Sequence, residues 1–249
     1  MFPLTHAYAV SRLVPAAGLL HILGAIFPDT VLTNGLDWAR AHQSGGTLYA
    51  FLRERAPAGL PFAVGMITHG VVPAGLDYYG DHQYADFEKG YAFEEARPYA
   101  ARVATICRLP ESMGWWKAHN FVEMAIEWLL ARQHPALGPQ VQQALAQAQR
   151  LAFLSPHLAA FFGHDGPDLL ASLPAMIPYL ALDPITPATL AEHYQSQLRL
   201  KHGVEAIAVP QAAALIAEIA GAIQPRCWAF VEDVLAKLGA LLAADFCTT

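Results

Sequence analysis

A chain of 249 residues is long enough to bury a sizeable core, as one large domain or two small ones. It is 55% hydrophobic and only 14% charged, where an average soluble protein has about 25% charged residues, so its surface has room for an apolar face toward a partner or a lipid. The formal charge of -6, with no long block of Lys or Arg, excludes a protein that tracks the phosphates of duplex nucleic acid.

Cys107, Cys227 and Cys247 lack C-x-x-C spacing, and their odd number argues against a disulfide framework. The N-terminal stretch MFPLTHAYAVSRL has no basic segment leading into an apolar one, so no signal peptide is expected and the cytoplasm is the expected compartment. Two apolar stretches could suggest membrane spans. Leu13 to Leu32 is interrupted by Pro15, His21, Pro28 and Asp29, and Val204 to Gln224 by Glu205, Pro210 and Glu218. Both are read as buried core helices instead.

Ala and Leu dominate, apolar residues recur at three- and four-residue spacing, and β-branched alternation is scarce. The pattern predicts an all-α protein, with helices over 5–14, 16–26, 36–43, 46–56, 59–73, 84–106, 112–133, 138–152, 155–162, 166–181, 187–202, 208–223 and 225–245. Pro28, Pro110, Pro135, Pro139 and Pro184 are the expected breaks. Before His134-Pro135, His, Asp and Glu sit among aromatics and glycines; after it the chain reads as Ala/Leu helices. This divides it into a metal-binding helical core, 1–135, and a helical extension packed on it, 136–249.

The candidate ligands come in a definite order. His6 lies near the N-terminus. The stretch Leu23-Gly24-Ala25-Ile26-Phe27-Pro28-Asp29 ends an apolar helix and delivers a carboxylate; the plainer role for Asp29 is a helix N-cap. His42 follows, while His21, inside Leu19-Leu20-His21-Ile22-Leu23, reads as a satisfied core residue. His69 sits in an apolar segment, and Pro73 and Gly75 then place Asp77 and His82 on a bend. A polar surface loop accounts for Asp81 and Asp86. The strongest local feature is Trp115-Trp116-Lys117-Ala118-His119-Asn120-Phe121-Val122-Glu123-Met124-Ala125-Ile126-Glu127-Trp128. The four-residue steps put His119, Glu123 and Glu127 on one helix face. With apolar neighbours around most of that helix, the stripe is expected to face an interior cleft, where a carboxylate needs a partner.

Taken in order, this series resembles the zinc-dependent phospholipase C family and the single-strand nucleases of the same fold, over roughly residues 1–130. The resemblance implies a multi-helix bundle in which His6, Asp29, His42, His69, Asp77, His82, His119 and Glu123 hold two or three zinc ions, with Mn, Fe or Mg as other candidates. It makes Asp29 also the candidate general base and Asp77 the metal-bridging carboxylate. The family's central pair is His-x-x-x-Asp, but position 73 is proline and Asp77 lies eight residues after His69. Secreted members also ligate through a processed N-terminal amine, which a retained Met1 does not offer.

Imidazole and carboxylate suit zinc, and two such ions can bind phosphate oxygens and activate a water. The expected function is therefore metal-dependent hydrolysis of a small-molecule or lipid phosphoester, phospholipase C-like, with possible peripheral membrane contact. Glu127 is expected to orient a ligand histidine from outside the coordination sphere, and Tyr78, Tyr79, Trp115 and Trp116 to line the entrance. Arg97, Arg102, Arg108 and Lys117 are candidate phosphate contacts, each with surface placement as the plainer reading. The alternatives are a non-catalytic helical protein stapled by metal and a hydrolase of soluble, nucleotide-like phosphoesters.

Overall fold

The computed structural model describes residues 3–165 and 168–246. Met1, Cys247 and the first two residues of the helix expected over 166–181 lie outside them. The chain is an all-α, multi-helix bundle, with no strand among the described residues. No described helix is long and apolar enough to cross a membrane.

The helices are α1 Pro3–Leu13, α2 Leu19–Ile26, α3 Val31–Asn34, α4 Trp38–His42, α5 Gly45–Arg55, α6 Leu60–His69 and α7 Tyr91–Ala96. They continue with α8 Ala100–Ile106, α9 Gly114–Gln133, α10 Leu137–Ala146, α11 Ser155–Phe162, α12 Ser172–Ala175, α13 Pro187–His202 and α14 Val209–Asp245. Three expectations change. The helix expected from 84 starts only at Tyr91, because Gly90, in extended conformation, forms its N-cap. The one expected over 166–181 is a series of short turns around α12. The break expected between 223 and 225 is absent: α14 runs through Pro225, which is exposed, so water can take up the carbonyl its ring leaves unbonded.

The described residues form two compact units. One holds the chain up to Thr5, Tyr78–Pro139 and Pro178–Asp233; the other holds His6–Asp77, Gln140–Ile177 and the chain from Val234 onward. Segments after 139 thus contribute to both units.

In the unit that begins at His6, α2 and α6 pack backbone to backbone. A Cβ on Gly24 would lie 2.0 Å from the Phe62 carbonyl oxygen, and one on Gly65 would lie 2.3 Å from that of His21 and 2.5 Å from the Ala25 nitrogen. Only glycine permits this approach, which Phe27 and Phe62 seal edge to face at 5.3 Å. In the other unit α7 and α8 pack on α9, most of whose circumference is buried, as befits a helix with apolar residues nearly all round. Gly65→Ala should therefore overpack the α2–α6 contact and cost about 1–3 kcal/mol, read as a lower urea midpoint; an unchanged midpoint would show that the helices separate freely.

Candidate metal centres

Among the described residues, three groups of side chains bring donor atoms within 4.8 Å of one another, close enough to hold a divalent ion: His6, Asp29 and His69; His42, His69 and Asp77; and Asp81, His119 and Glu123. The first two share His69 and form one histidine-rich centre. The third lies in the other unit.

The histidine-rich centre is assembled by chain reversals. Asp29 lies in the 3-10 turn Phe27–Thr30 that Pro28 starts after α2, and it caps no helix; the residue before α3 is Thr30. His42 and His69 are the last residues of α4 and α6. The two helix ends meet where Val71 N–H donates to the His42 carbonyl at 2.8 Å, and a Cβ on Gly70 would lie 2.4 Å from that same oxygen. The chain then folds back: Gly75 N–H donates to the Gly70 carbonyl at 2.9 Å, and glycine is required there because a Cβ would meet two carbonyls at 2.6 Å. The Pro73–Gly75 bend thus returns Asp77 to the end of α6, eight residues on, where its Oδ2 lies 3.1 Å from His69 Nε2.

Both terminal histidines are held from behind. His42 Nδ1 bonds the Trp38 carbonyl at 2.9 Å and His69 Nδ1 the Ala25 carbonyl at 2.6 Å. A carbonyl only accepts, so each Nδ1 carries a proton and each Nε2 is left to face the carboxylates. His42 Nε2 lies 3.5 Å from Asp77 Oδ2 and 3.8 Å from Asp29 Oδ1; His69 Nε2 lies 3.9 Å from Asp29 Oδ1. Donors on a tetrahedron with arms near 2.1 Å are roughly 3.4 Å apart, and these spacings bracket that value. The other oxygen of Asp77, Oδ1, is 3.4 Å from His6 Nε2, so this carboxylate faces histidines on both sides. The His6 and His69 rings stack at 3.5 Å.

Several of these atoms are buried without the partner they need. Both ring nitrogens of His6 and Nε2 of His69 have no aligned hydrogen bond, although Asp77 is within ion-pair distance. Buried polar atoms are ordinarily satisfied, and a cation between the two rings would satisfy His69 Nε2 and one nitrogen of His6. The donor set therefore fits a divalent metal. Asp29 differs from the rest: its side chain is 30% exposed, against 0–3% for His6, His42, His69 and Asp77.

In the other centre, α9 presents His119 and Glu123 one turn apart, both buried. Their third member is Asp81, which the sequence reading assigned to a surface loop. His82, the expected ligand, is exposed and belongs to none of the three groups; its ring lies parallel to Tyr78 at 6.3 Å. The reason is a π turn, Tyr78–His82, in which Gln83 N–H reaches the Tyr78 carbonyl five residues back. This turn sets the side-chain directions within it, and Asp81, not His82, comes within reach of His119 and Glu123. Gly90 packs against this turn, for a Cβ there would lie 2.2 Å from the Asp81 nitrogen.

Glu127 is buried but orients no histidine ring. It accepts hydrogen bonds from Leu4 N–H at 2.9 Å, from Thr5 N–H at 2.7 Å and from the Thr5 hydroxyl. Pro3 fills the first position of α1, where no N–H is needed, and Glu127 caps the next two residues. Burial pushes its pKa up to about 7 against these bonds.

The expected substrate aromatics divide. Tyr78 is half-buried, edge-on to Tyr79 at 5.2 Å. Trp115 is pinned: Nε1 donates to the Phe93 carbonyl at 2.8 Å and the Arg97 guanidinium lies 4.2 Å over its ring. Trp116 is 48% exposed. Trp38, absent from the sequence expectations, stacks on His42 at 4.3 Å while 41% exposed; a Trp one helical turn before a candidate ligand histidine was the available signal. Among the expected phosphate contacts, Arg97 pairs with Glu88 and Glu94, Arg102 pairs with Glu218, and Arg108 is exposed. Lys117, by contrast, is buried, its ammonium 3.6 Å over the Trp116 ring, and burial together with Lys201 pushes its pKa down to about 8. His21 is half-buried and accepts from Gly18 N–H at 3.3 Å, a capping role. Cys107 and Cys227 are buried free thiols.

No family model matches the chain, no curated protein matches it, and no solved structure matches it.

Burial holds the pKa of His6 down at about 4, helped by the charge of His69, and burial alone is the leading cause of a like value for His119. Burial also opposes a charge on His69, but Asp77 and Asp29 overcome it and raise its pKa. The signs then separate. As pH falls from about 6.5 toward 4, the unfolded chain protonates at His6 and His119 while the folded metal-free chain does not, so stability is lost. The contribution of His69 runs the other way, being complete below about 6.5 and lost as pH rises through its raised pKa. NMR titration of metal-free protein should find His6 and His119 near 4 and His69 above its ordinary range; His6 and His119 titrating near 6.5 would contradict the geometry.

Proposed function

We propose that the chain is a metal-dependent hydrolase of phosphoesters, phospholipase C-like, with the histidine-rich centre as its catalytic core. The observation that carries this reading is the convergence of two backbone-tethered imidazoles on two carboxylates, one buried and one open to solvent. A site that only stapled the fold would have no use for a partly exposed ligand, whereas a hydrolase needs a member that meets substrate and water. Divalent ions held there supply Lewis acidity toward phosphate oxygens and a water of lowered pKa. The chain's own residues do the rest. His6, His42, His69 and Asp77 would hold the ions. Asp29, kept ionised by the charge of His69 against the effect of burial, is placed to orient the attacking water and accept its proton.

The exposed indole of Trp38 against His42, with Val72 55% exposed two residues past the Gly70 contact, gives this centre an apolar border. That favours a substrate with an acyl or other apolar portion, and a lipid phosphoester over a nucleotide. The resemblance to zinc-dependent phospholipases C agrees, and zinc is the first candidate for the ions.

Two experiments test the proposal. Metal analysis of protein purified without chelator should find about two divalent ions per chain, and His42→Ala should remove the ion at the histidine-rich centre; native, folded protein with no metal would overturn it. Hydrolysis of phosphatidylcholine vesicles and of bis(p-nitrophenyl) phosphate should fall on Asp29→Asn by about two to four orders of magnitude with metal retained. Metal retained without any turnover on either substrate would favour the structural staple.

A further inference from the structure

Arg108 and His202 line an open cleft of about 480 Å3 whose other walls, Leu109, Pro110, Met113 and Val204, are apolar. The cleft lies where the end of α8, the start of α9 and the end of α13 come together, within the unit that holds Tyr78–Pro139 and Pro178–Asp233. Met113 precedes Lys117 by one turn, and Lys201 precedes His202. Among the described residues, none of Arg108, Lys117, Lys201 and His202 forms an ion pair with a carboxylate. We infer that this cleft binds a small organic anion, an acid group on an apolar body, independently of the metal centres.

Three observations carry it. First, Lys117 is 5% exposed in the first turn of α9, a turn without an acidic residue. Burial and the positive end of the helix both oppose an ammonium there, and both are relieved by an anion. The Trp116 ring, 3.6 Å from the ammonium, offsets part of the cost. Second, the His202 ring meets the same indole edge-on at 5.6 Å, and its Nε2 is buried with no hydrogen-bond partner. Burial, then the charges of Lys117 and Lys201, hold the His202 pKa below its ordinary value, so positive charge is crowded here. Third, Arg108 has a left-handed φ of 54°. It closes α8: its N–H donates to the Thr105 carbonyl at 3.2 Å, and Leu109 N–H donates to the Ala104 carbonyl at 2.9 Å. Glycine is the usual residue at such a helix end, and the matching position after α13 is Gly203, with φ 65°. An arginine held there against backbone preference is the kind of strain that gathers at binding sites.

The cleft is separate from the candidate metal donors of α9. Lys117 and His119 are two residues apart, about 200° round the helix. Trp116 flanks the first and Phe93 the second. The carboxylate that lines the cleft, Glu205, is engaged by Arg199 at 3.3 Å. The volume suits a whole small molecule, whose apolar portion would lie on Leu109, Pro110, Met113 and Val204.

The test is calorimetric titration of the full-length protein with hexyl phosphate, inorganic phosphate and hexanol. Hexyl phosphate should bind most tightly, inorganic phosphate more weakly and hexanol not measurably. Arg108→Gly and Lys117→Met should each weaken hexyl phosphate by roughly ten- to hundredfold, the scale of one charge-assisted hydrogen bond. Both variants should keep or raise the urea midpoint, because glycine accepts the left-handed φ and methionine removes a buried charge. His42→Ala should leave this binding in place, which separates it from phosphate held at the histidine-rich centre. Cosedimentation with phosphatidylglycerol vesicles, lost in the same two variants, would trace the acid group to a lipid headgroup; binding confined to hexyl phosphate would trace it to a soluble molecule. Failure of the unaltered protein to bind hexyl phosphate, or an affinity unchanged in both variants, would overturn the inference and leave the hydrolase reading standing.

Discussion

Asp77 is a carboxylate at 2% exposure with His6 on one side and His42 and His69 on the other. A buried charge without compensation costs several kcal/mol or more, so the fold around it must supply positive charge permanently. In the metal-free chain Asp77 and Asp29 together raise the pKa of His69 against the effect of burial. A divalent ion held by these side chains would supply the positive charge that Asp77 requires. Much of the local architecture serves this one arrangement. Gly65 and Gly24 let α2 and α6 touch, which brings the Ala25 carbonyl to His69; Gly70 lets the end of α4 reach the end of α6; Gly75 lets the chain reverse and return Asp77.

What the sequence disclosed, and what it hid, follows from how local each signal is. An all-helical chain was legible from the three- and four-residue apolar spacing, and α9 was legible with its His119 and Glu123 on one face, because both depend on short-range periodicity. Asp77 was readable despite its eight-residue offset from His69, since Pro73 and Gly75 announce a bend. The exchange of His82 for Asp81 was not readable. It depends on a π turn, and the features that fix that turn are a hydrogen bond five residues long and the packing of Gly90, which is distant in sequence. Lys117 looked like a surface cation because charge usually implies exposure; the aromatic ring of Trp116 and the packing of α9 bury it. The two-unit division was equally hidden, since composition changes near residue 135 while packing assigns later segments to both units.

Glu127 shows how a ligand-like motif can serve structure. The four-residue steps suggest two ligands with Glu127 behind them orienting a histidine, yet Glu127 turns its two oxygens to the backbone of Leu4 and Thr5 and to the Thr5 hydroxyl. The residue after Thr5 is His6. One helix thus carries two members of a candidate centre and also fixes the start of the helix from which His6 projects.

The central claim is that these lone pairs are arranged for an ion and not for one another. Crystals of the protein purified without chelator, with diffraction recorded on both sides of the zinc and manganese absorption edges, address it most directly. The account predicts an anomalous peak about 2.0–2.2 Å from Nε2 of His42 and of His69 and from a carboxylate oxygen of Asp77. A metal-free centre at neutral pH, with Asp77 hydrogen-bonded to the imidazoles in good alignment, would contradict it.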